Sequence, residues 1–453
     1  MPTLRAIAST RLARGTLSSL YGQFAQVGIQ LLSVPILSSR FGLAGYGSWL
    51  LLFTLPQLLA MGDFGLSIAG GNKMTAAAAR GDLADAARIH RTLRLVTLFT
   101  GIALVGSAAV VAIVLWPGLL DFAAAVTGGR QVETALVLLV YGALALGNAV
   151  TLAGFRAADR YALGNVLFIT LIIVEAAAAL SVAVAGGTAL AIAVAYLLVR
   201  LAGTLVMAGW LRRHAGWLRI PPAGSVRAEL RALAQPAIAA LFLPIGQATL
   251  IQGSVIALGA AAGPAAIPAF TAVRTMTRSV LQLVMALSNA SMVRFTVAHA
   301  NGDEHRQDQL VLLNMVATVL LVLPAAVILV ACGGAFLRLW TRGLVHAPQG
   351  LIAVMAGAMI LNAVWMMIGN LILATNRHSG FAYFQTAAAL LWVGVGLVMA
   401  GSFGAVGMGC AVLLNDLTMT AWIWRLSHRI GIVAPTRLAS LNRQVWAQFR
   451  SGR

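Results

Sequence analysis

FGLAGYGSW, Phe41 to Trp49, spans the junction of two apolar runs, and its reading decides the architecture. Thr16 to Ser39 before it and Leu43 to Gly62, which begins inside it, are each long enough and apolar enough to cross a bilayer as a helix. The stretch between them is too short for anything except a turn, so the two runs form a helical hairpin. The first run carries Gln23, Gln26 and Gln30, whose spacing of three and four residues puts the amides on one stripe. Amides inside hydrocarbon require polar company, so the stripe predicts a hydrated cleft between helices.

Composition points the same way. Hydrophobic residues make up 60% of the 453 and charged residues only 9%, against about 25% charged in a soluble domain. This is the composition of an all-α, polytopic membrane protein. The two cysteines, Cys332 and Cys410, both sit in apolar runs and read as small packing residues, with no disulfide framework and no thiolate metal site. The seven histidines lie in or beside loops without metal-ligand spacing and read as solvated. No G-x-x-x-x-G-K-[ST] phosphate loop occurs, so nucleotide hydrolysis by this chain is not expected. No cofactor is implied. The basic segment with Arg5, Arg11 and Arg14 resembles the start of a signal peptide, yet the apolar run after it is too long and is expected to remain as the first span.

Taking the chain in order, further spans are expected at Leu93 to Trp116, Val132 to Phe155, Leu163 to Ala185 and Ala189 to Leu211. Six more follow at Ala234 to Gly259, Ile267 to Met292, Leu310 to Cys332, Gly350 to Thr375, Phe381 to Ala400 and Gly404 to Trp424. The layout is an N-terminal six-helix bundle over residues 1–211, a basic linker over 212–233, a C-terminal bundle over 234–424 and a basic tail over 425–453. In the tail, Leu438, Leu441, Val445 and Phe449 recur at helical spacing among arginines, the pattern of an amphipathic helix on a membrane surface.

Basic residues test this topology, because Lys and Arg accumulate in cytoplasmic loops. With both termini cytoplasmic, the inner segments hold three basic residues at the N-terminus, five from Lys73 to Arg94, and two at Arg156 and Arg160. They hold five from Arg212 to Arg231, two at Arg294 and Arg306, one at Arg377 and six from Arg425 onward. That is 24 of 31, against four in outer loops: Arg40, Arg130, Arg338 and Arg342. Losing one span would destroy the split. The net charge of +19 therefore reports orientation and contact with anionic membrane lipids, and nucleic-acid binding is not expected.

The halves resemble one another weakly. Gln26 precedes Gly42 by the interval at which Gln247 precedes Gly263, and the seventh span, with Gln235, Pro236, Pro244, Gln247 and Gln252, is as polar and breakable as the first. Matching polar or interrupted helices in two halves are where a transporter's central site is expected.

FGLAGYGSW, MGDFGLSIAGGNKMTAAAARGD from Met61 to Asp82, and IQGSVIALGAAAGPAAIPAFTAVRTMTR from Ile251 to Arg278 resemble the polysaccharide-type exporters of the multidrug/oligosaccharidyl-lipid/polysaccharide flippase superfamily. The resemblance runs from about Thr16 to Trp424. It implies two pseudo-symmetric six-helix bundles around a central cleft lined by the first, second, seventh and eighth helices. It also implies a flippase for polyprenyl-diphosphate-linked oligosaccharide repeats at the bacterial inner membrane, serving lipopolysaccharide, O-antigen or exopolysaccharide assembly beside other polysaccharide-assembly membrane proteins. By position, Gly45, Tyr46 and Gly47 match the family's first outer turn, Asp63 and Gly65 its end-of-helix signature, and Arg274 its eighth-helix arginine.

A diphosphate needs cations. Arg274 and Arg278 stand four apart on one helical face, and each mid-span arginine costs about 2.5–3.5 kcal/mol to insert. A planar guanidinium suits bidentate phosphate contact. Arg200 and Arg40 are further candidate substrate residues, Arg200 facing either the cleft or Glu175. Gln23, Gln26, Gln30, Gln247 and Gln252 are candidates for sugar hydroxyls or for helix–helix glue. Glu175, Asp416 and Asp63 are candidates for a coupling proton or sodium ion, the alternative being buried salt bridges or, for Asp63, a cap. Asn362 and Asn370 read as glue. Three functions compete: the flippase, a drug or metabolite antiporter of the same fold, and a membrane enzyme of glycan assembly. The very short outer loops count against the enzyme, and three intramembrane arginines count against cationic drugs.

Overall fold

The computed structural model describes residues 4–60, 66–115, 117–219, 242, 244–300, 303–374 and 379–429. All regular structure among them is helical. Nine helices among the described residues are long and apolar enough to cross a membrane. Seven of these nine match one expected span each. The other two, Tyr21–Leu59 and Gly380–Arg429, each cover two expected spans, with a glycine break inside. The remaining expected span, Ile267 to Met292, lies in a helix running Ile267–Ala300.

Contacts divide the chain into unit 1, Met1–Gly259 with Gly263–Pro268, and unit 2, Ala260–Ala262 with Ala269–Arg453. Unit 1 contains α1 (Leu4–Leu52), α2 (Thr54–Leu59), α3 (Leu66–Ala79), α4 (Leu83–Val110), α5 (Ala124–Thr127), α6 (Gln131–Ala157), α7 (Tyr161–Val184) and α8 (Ala189–His214). It also contains most of α9 (Ser254–Ala262). Unit 2 is built from α10 (Ile267–Ala300), α11 (Glu304–Trp340), α12 (Gln349–Ala374) and α13 (Ser379–Arg429).

The helix ends have local causes. Asp82 accepts from the Asp85 amide at 3.0 Å to start α4, Thr188 accepts from Ala191 at 3.2 Å to start α8, and Asp303 accepts from Arg306 at 3.0 Å to start α11. Breaks fall on glycines: α1 turns at Gly42 (φ 68, ψ 179) and α13 at Gly404 (φ 54, ψ −135), both left-handed positions that a side chain resists. The break at Gly42 falls within Phe41 to Trp49, where the sequence places a turn.

Between lipid-bathed helices the hydrophobic effect gives little net drive, so close van der Waals approach holds them together. Gly142 of α6 sits so near α2 that a Cβ there would lie 2.7 Å from Pro56 Cα. At Gly47 a Cβ would lie 1.8 Å from the Pro264 carbonyl oxygen, so α1 after its break seats directly on the turn before α10. One end of unit 1 closes over an apolar cluster that includes Met74, Ile89, Leu93, Phe155, Met207 and Leu211. In unit 2, α12 packs on both α11 and α13. Gly407 lets the α13 break fold back on itself, since a Cβ there would meet the Met399 carbonyl oxygen at 2.2 Å.

Two expectations fail locally. His90, read as solvated, is 6% exposed, its ring edge-on to Trp217 at 6.1 Å, because α4 starts at Leu83 and carries this residue into the packed end of unit 1. Cys332, read as a packing residue, is exposed on α11, while Cys410 is half-buried; both are free thiols. Asp63, most of the 212–233 linker, Gln235, Pro236 and the tail beyond Arg429 lie outside the described residues.

Candidate functional site

Three helices converge on one ion pair in unit 1. Glu175 of α7 is 1% exposed and Arg200 of α8 5%. Arg200 Nη2 donates to Glu175 Oε2 at 2.6 Å and to the Tyr141 hydroxyl of α6, also at 2.6 Å. Tyr141 O–H donates in turn to Glu175 Oε2 at 3.1 Å. The Arg200 Nε to Glu175 Oε1 approach, 2.6 Å, lies outside hydrogen-bond geometry, so the directional bonds run through the other nitrogen and the second contact is electrostatic. The guanidinium carbon stands 4.5 Å from the Tyr141 ring centroid, and Tyr196 and Phe53 extend the aromatic wall, with centroids 5.5 Å and 5.2 Å from their neighbours. Of the two partners left open for Arg200 by its sequence, the structure brings it to Glu175. A charge pair removed from water needs this many bonds to persist.

Unit 2 holds a carboxylate of another kind. Asp416 of α13 is 2% exposed, and its Oδ1 accepts from Trp365 Nε1 at 2.9 Å, Asn362 Nδ2 at 3.0 Å and Asn415 Nδ2 at 3.4 Å. Asn362 and Trp365 come from consecutive turns of α12, so one face of that helix supplies both donors. Thr420 Oγ1 bonds to the Asp416 carbonyl at 2.7 Å and to the Leu361 carbonyl at 3.2 Å, tying the two helices at the same level. Among the described residues no cation lies at ion-pair distance from Asp416, so the expected alternative of a buried salt bridge is not what holds it. Asn362 is therefore a carboxylate ligand as well as glue. Asn370 donates to Met285 Sδ at 3.6 Å.

Arg274 and Arg278 lie one turn apart on α10, each half-buried. The Arg274 guanidinium stands 5.1 Å from the ring centroid of Phe270, a fully buried residue one turn earlier. Thr271, Thr275 and Ser279 share this segment; the Thr275 and Ser279 hydroxyls bond back to carbonyls four residues earlier, at 2.9 Å each. Two like charges at this spacing repel, and a multivalent anion relieves that repulsion.

The remaining candidates are spread out. Arg40 binds the Gly186 and Gly187 carbonyls at 2.6 and 3.1 Å, where it ties the exposed end of α1's first segment to the turn after α7. Gln252 donates to Gln57, an amide pair joining the start of α9 to α2. Gln23 and Gln30 are half-buried and Gln26 and Gln247 exposed, while the Gln30 Oε1 is buried without a hydrogen-bond partner among the described residues. Sequence reasoning missed Tyr141 and Trp365, whose signal was a single polar-tipped aromatic in an apolar span. Among the described residues no group of His, Cys, Asp and Glu side chains has the proximity to hold a metal ion.

No protein-family model matches the sequence, and no curated protein matches it. Solved structures do. The MATE multidrug transporter DinF-BH, solved as a complex, superposes with a TM-score of 0.67 at 14% identity, over 93% of this chain and 95% of that one. An inward-facing multidrug resistance MATE family transporter of the MOP superfamily gives 0.65 at 14%, over 92% and 98%. A MOP superfamily transporter from Pyrococcus furiosus, described as having a binding pocket of reverse polarity, gives 0.61 at 14%, over 93% and 95%. The chain has the fold of these proteins.

Proposed function

We propose that this chain is a multi-pass membrane transporter that moves an amphiphilic organic substrate by alternating access, as an ion-coupled drug or metabolite antiporter. The fold shared with multidrug transporters over more than nine-tenths of the chain supports transport. Asp416 carries the coupling. A buried carboxylate held by three neutral donors has no fixed counter-charge, so its charge is set by uptake and release of a proton or a sodium ion, and intramembrane carboxylates of this kind mark ion pathways. Glu175 is the weaker coupling candidate because Arg200 already balances it. The test is uptake into proteoliposomes driven by an imposed proton or sodium gradient. Asp416→Asn keeps an acceptor oxygen for the same donors and removes the titratable group, so it is expected to abolish gradient-driven transport in a protein that still folds. Wild-type gradient-driven rates in that variant would overturn the coupling role.

A second reading, a flippase for polyprenyl-diphosphate-linked oligosaccharides, is favoured by one observation, the Arg274–Arg278 pair on α10. A cationic pair suits a diphosphate and opposes a cationic drug. The two readings share fold and coupling and differ in the charge of the cargo.

A further inference from the structure

Unit 1 carries a cavity of about 630 Å³ between α4, α6, α8 and the turn Gly216–Arg219, with neither Glu175 nor Arg200 among its lining residues. Its rim and its walls have different chemistry. The rim holds Arg91 and Arg94 from α4, Arg212 from α8 and Arg219 from the turn, with no Asp or Glu among the lining residues. Single helical stripes carry those arginines together with the walls: Ala87, Arg91, Arg94 and Leu98 recur at three and four residues on α4, and Thr204, Ala208 and Arg212 at four on α8. Ala143 and Gly147 close the third side from α6, and small residues at these places leave the groove its width. Leu98, 57% exposed, marks where the apolar wall opens sideways along the helices.

His90 lines it at 6% exposed, and its Nε2 and the Thr204 hydroxyl are shielded from the groove, so the charge that faces an occupant is that of the arginines. A free inorganic anion would use the rim and leave the apolar stripes empty. A zwitterionic lipid would bring its own cation against four arginines. The occupant that uses both surfaces is a glycerophospholipid whose phosphate carries an uncompensated negative charge, and arginine clusters beside spans favour such headgroups.

We propose that this groove is a binding site for an anionic glycerophospholipid, with the phosphate among Arg91, Arg94, Arg212 and Arg219 and one acyl chain along the Leu98 and Ala208 walls. The site sits on the end of unit 1 that carries Arg91, Arg94, Arg212 and Arg219, which by the basic-residue count faces the cytoplasmic leaflet.

The test uses the full chain, purified and delipidated, with bound lipid read by native mass spectrometry. Dioleoyl phosphatidylglycerol, dioleoyl phosphatidylcholine and sn-glycerol 3-phosphate are the three probes. Phosphatidylglycerol is expected to bind at one to one and the other two to bind far more weakly. Arg94→Gln with Arg212→Gln is expected to weaken phosphatidylglycerol binding about thirtyfold, from the contribution of one cation near an anionic headgroup taken twice. Arg130→Gln with Arg342→Gln removes the same charge from outside the cavity and is expected to leave binding unchanged. Ala208→Trp fills the wall without touching the charge and is expected to reduce lipid binding as well. Glycerol phosphate binding as tightly as the lipid would assign the site to a soluble phosphoester. Equal binding of phosphatidylcholine, or unaltered phosphatidylglycerol binding in the rim variant, would remove the site altogether.

Discussion

Gly42 and Gly263 hold nearly the same left-handed backbone conformation, φ 68 and ψ 179 at one and φ 78 and ψ 166 at the other. Each ends the first helix of a sequence half, and each follows a glutamine, Gln26 or Gln247, by the same interval. The register continues. Asp82 and Asp303 stand at equal distances beyond these glycines, have φ, ψ of −81, 74 and −80, 83, and cap α4 and α11 through the same bond to the amide three residues on. Two halves that place the same break and the same cap in one register share one helical plan, the kind of internal repeat from which many transporter folds are built.

A first prediction concerns those glycines. No neighbour lies within 4 Å of a Cβ built on Gly42 or Gly263, so the cost of alanine is backbone strain alone. Gly42→Ala and Gly263→Ala are each expected to destabilise by about 1–3 kcal/mol. Gly47→Ala is expected to cost more, because its Cβ collides with the Pro264 carbonyl. Gly28→Ala, in open space within α1, is the control. Thermal unfolding of the purified protein followed by size-exclusion fluorescence checks the order; Gly47→Ala at the control's midpoint would refute the close approach.

The breaks were legible because they are local: a glycine at a helix end acts on its own backbone. The caps at Asp82, Thr188 and Asp303 are as local and were not singled out. Side-chain partners were not. A span that is apolar all round has no amphipathic stripe to say which face meets a neighbour, so Glu175 stood as one of two alternatives for Arg200, and the part of Tyr141 between them was not visible. Asp416 was seen as a buried carboxylate, but its donors Asn362 and Trp365 lie more than fifty residues earlier, on a helix whose rotation hydropathy does not fix. His90 was misread because loop proximity in sequence was taken for exposure.

A second prediction follows from the unit 1 ion pair. Removing one partner of a buried pair leaves an uncompensated charge, so Arg200→Ala is expected to cost about 3–5 kcal/mol. Adding Glu175→Gln to that variant removes the stranded charge and is expected to recover most of the loss, the non-additivity that marks a direct contact. Membrane yield and unfolding midpoint of the two singles and the double give the coupling. Additive effects would mean that Arg200 acts elsewhere.

A third prediction concerns topology. The basic-residue split requires reporter fusions at Gly81, Gly224, Asn301 and Gly452 to read cytoplasm, and fusions at Gly128 and Gly343 to read the outside. Gly81, Gly128 and Gly343 lie in turns at φ 80, 63 and 78, where an insertion interrupts no helix. One cytoplasmic site reading outside would break the arrangement of twelve spans with both termini inside.

The last prediction separates the two cargoes. Arg274 and Arg278 lie one turn apart on α10, and the Arg274 guanidinium is also stacked near Phe270. If the pair binds a diphosphate, Arg274→Lys keeps charge but loses the planar fork and the stacking, so partial activity is expected, while Arg274→Ala is expected to abolish transport in a normally expressed protein. Arg278→Ala, without the ring beneath it, is expected to be milder. Surface glycan in the native host and uptake of an anionic dye into proteoliposomes are measured on the same variants. A flippase loses both the glycan and the charge preference with Arg274→Ala. An antiporter for neutral or anionic compounds loses dye uptake while surface glycan is untouched. Unchanged glycan and unchanged uptake in a well-expressed Arg274→Ala protein would remove Arg274 from the substrate path under either reading.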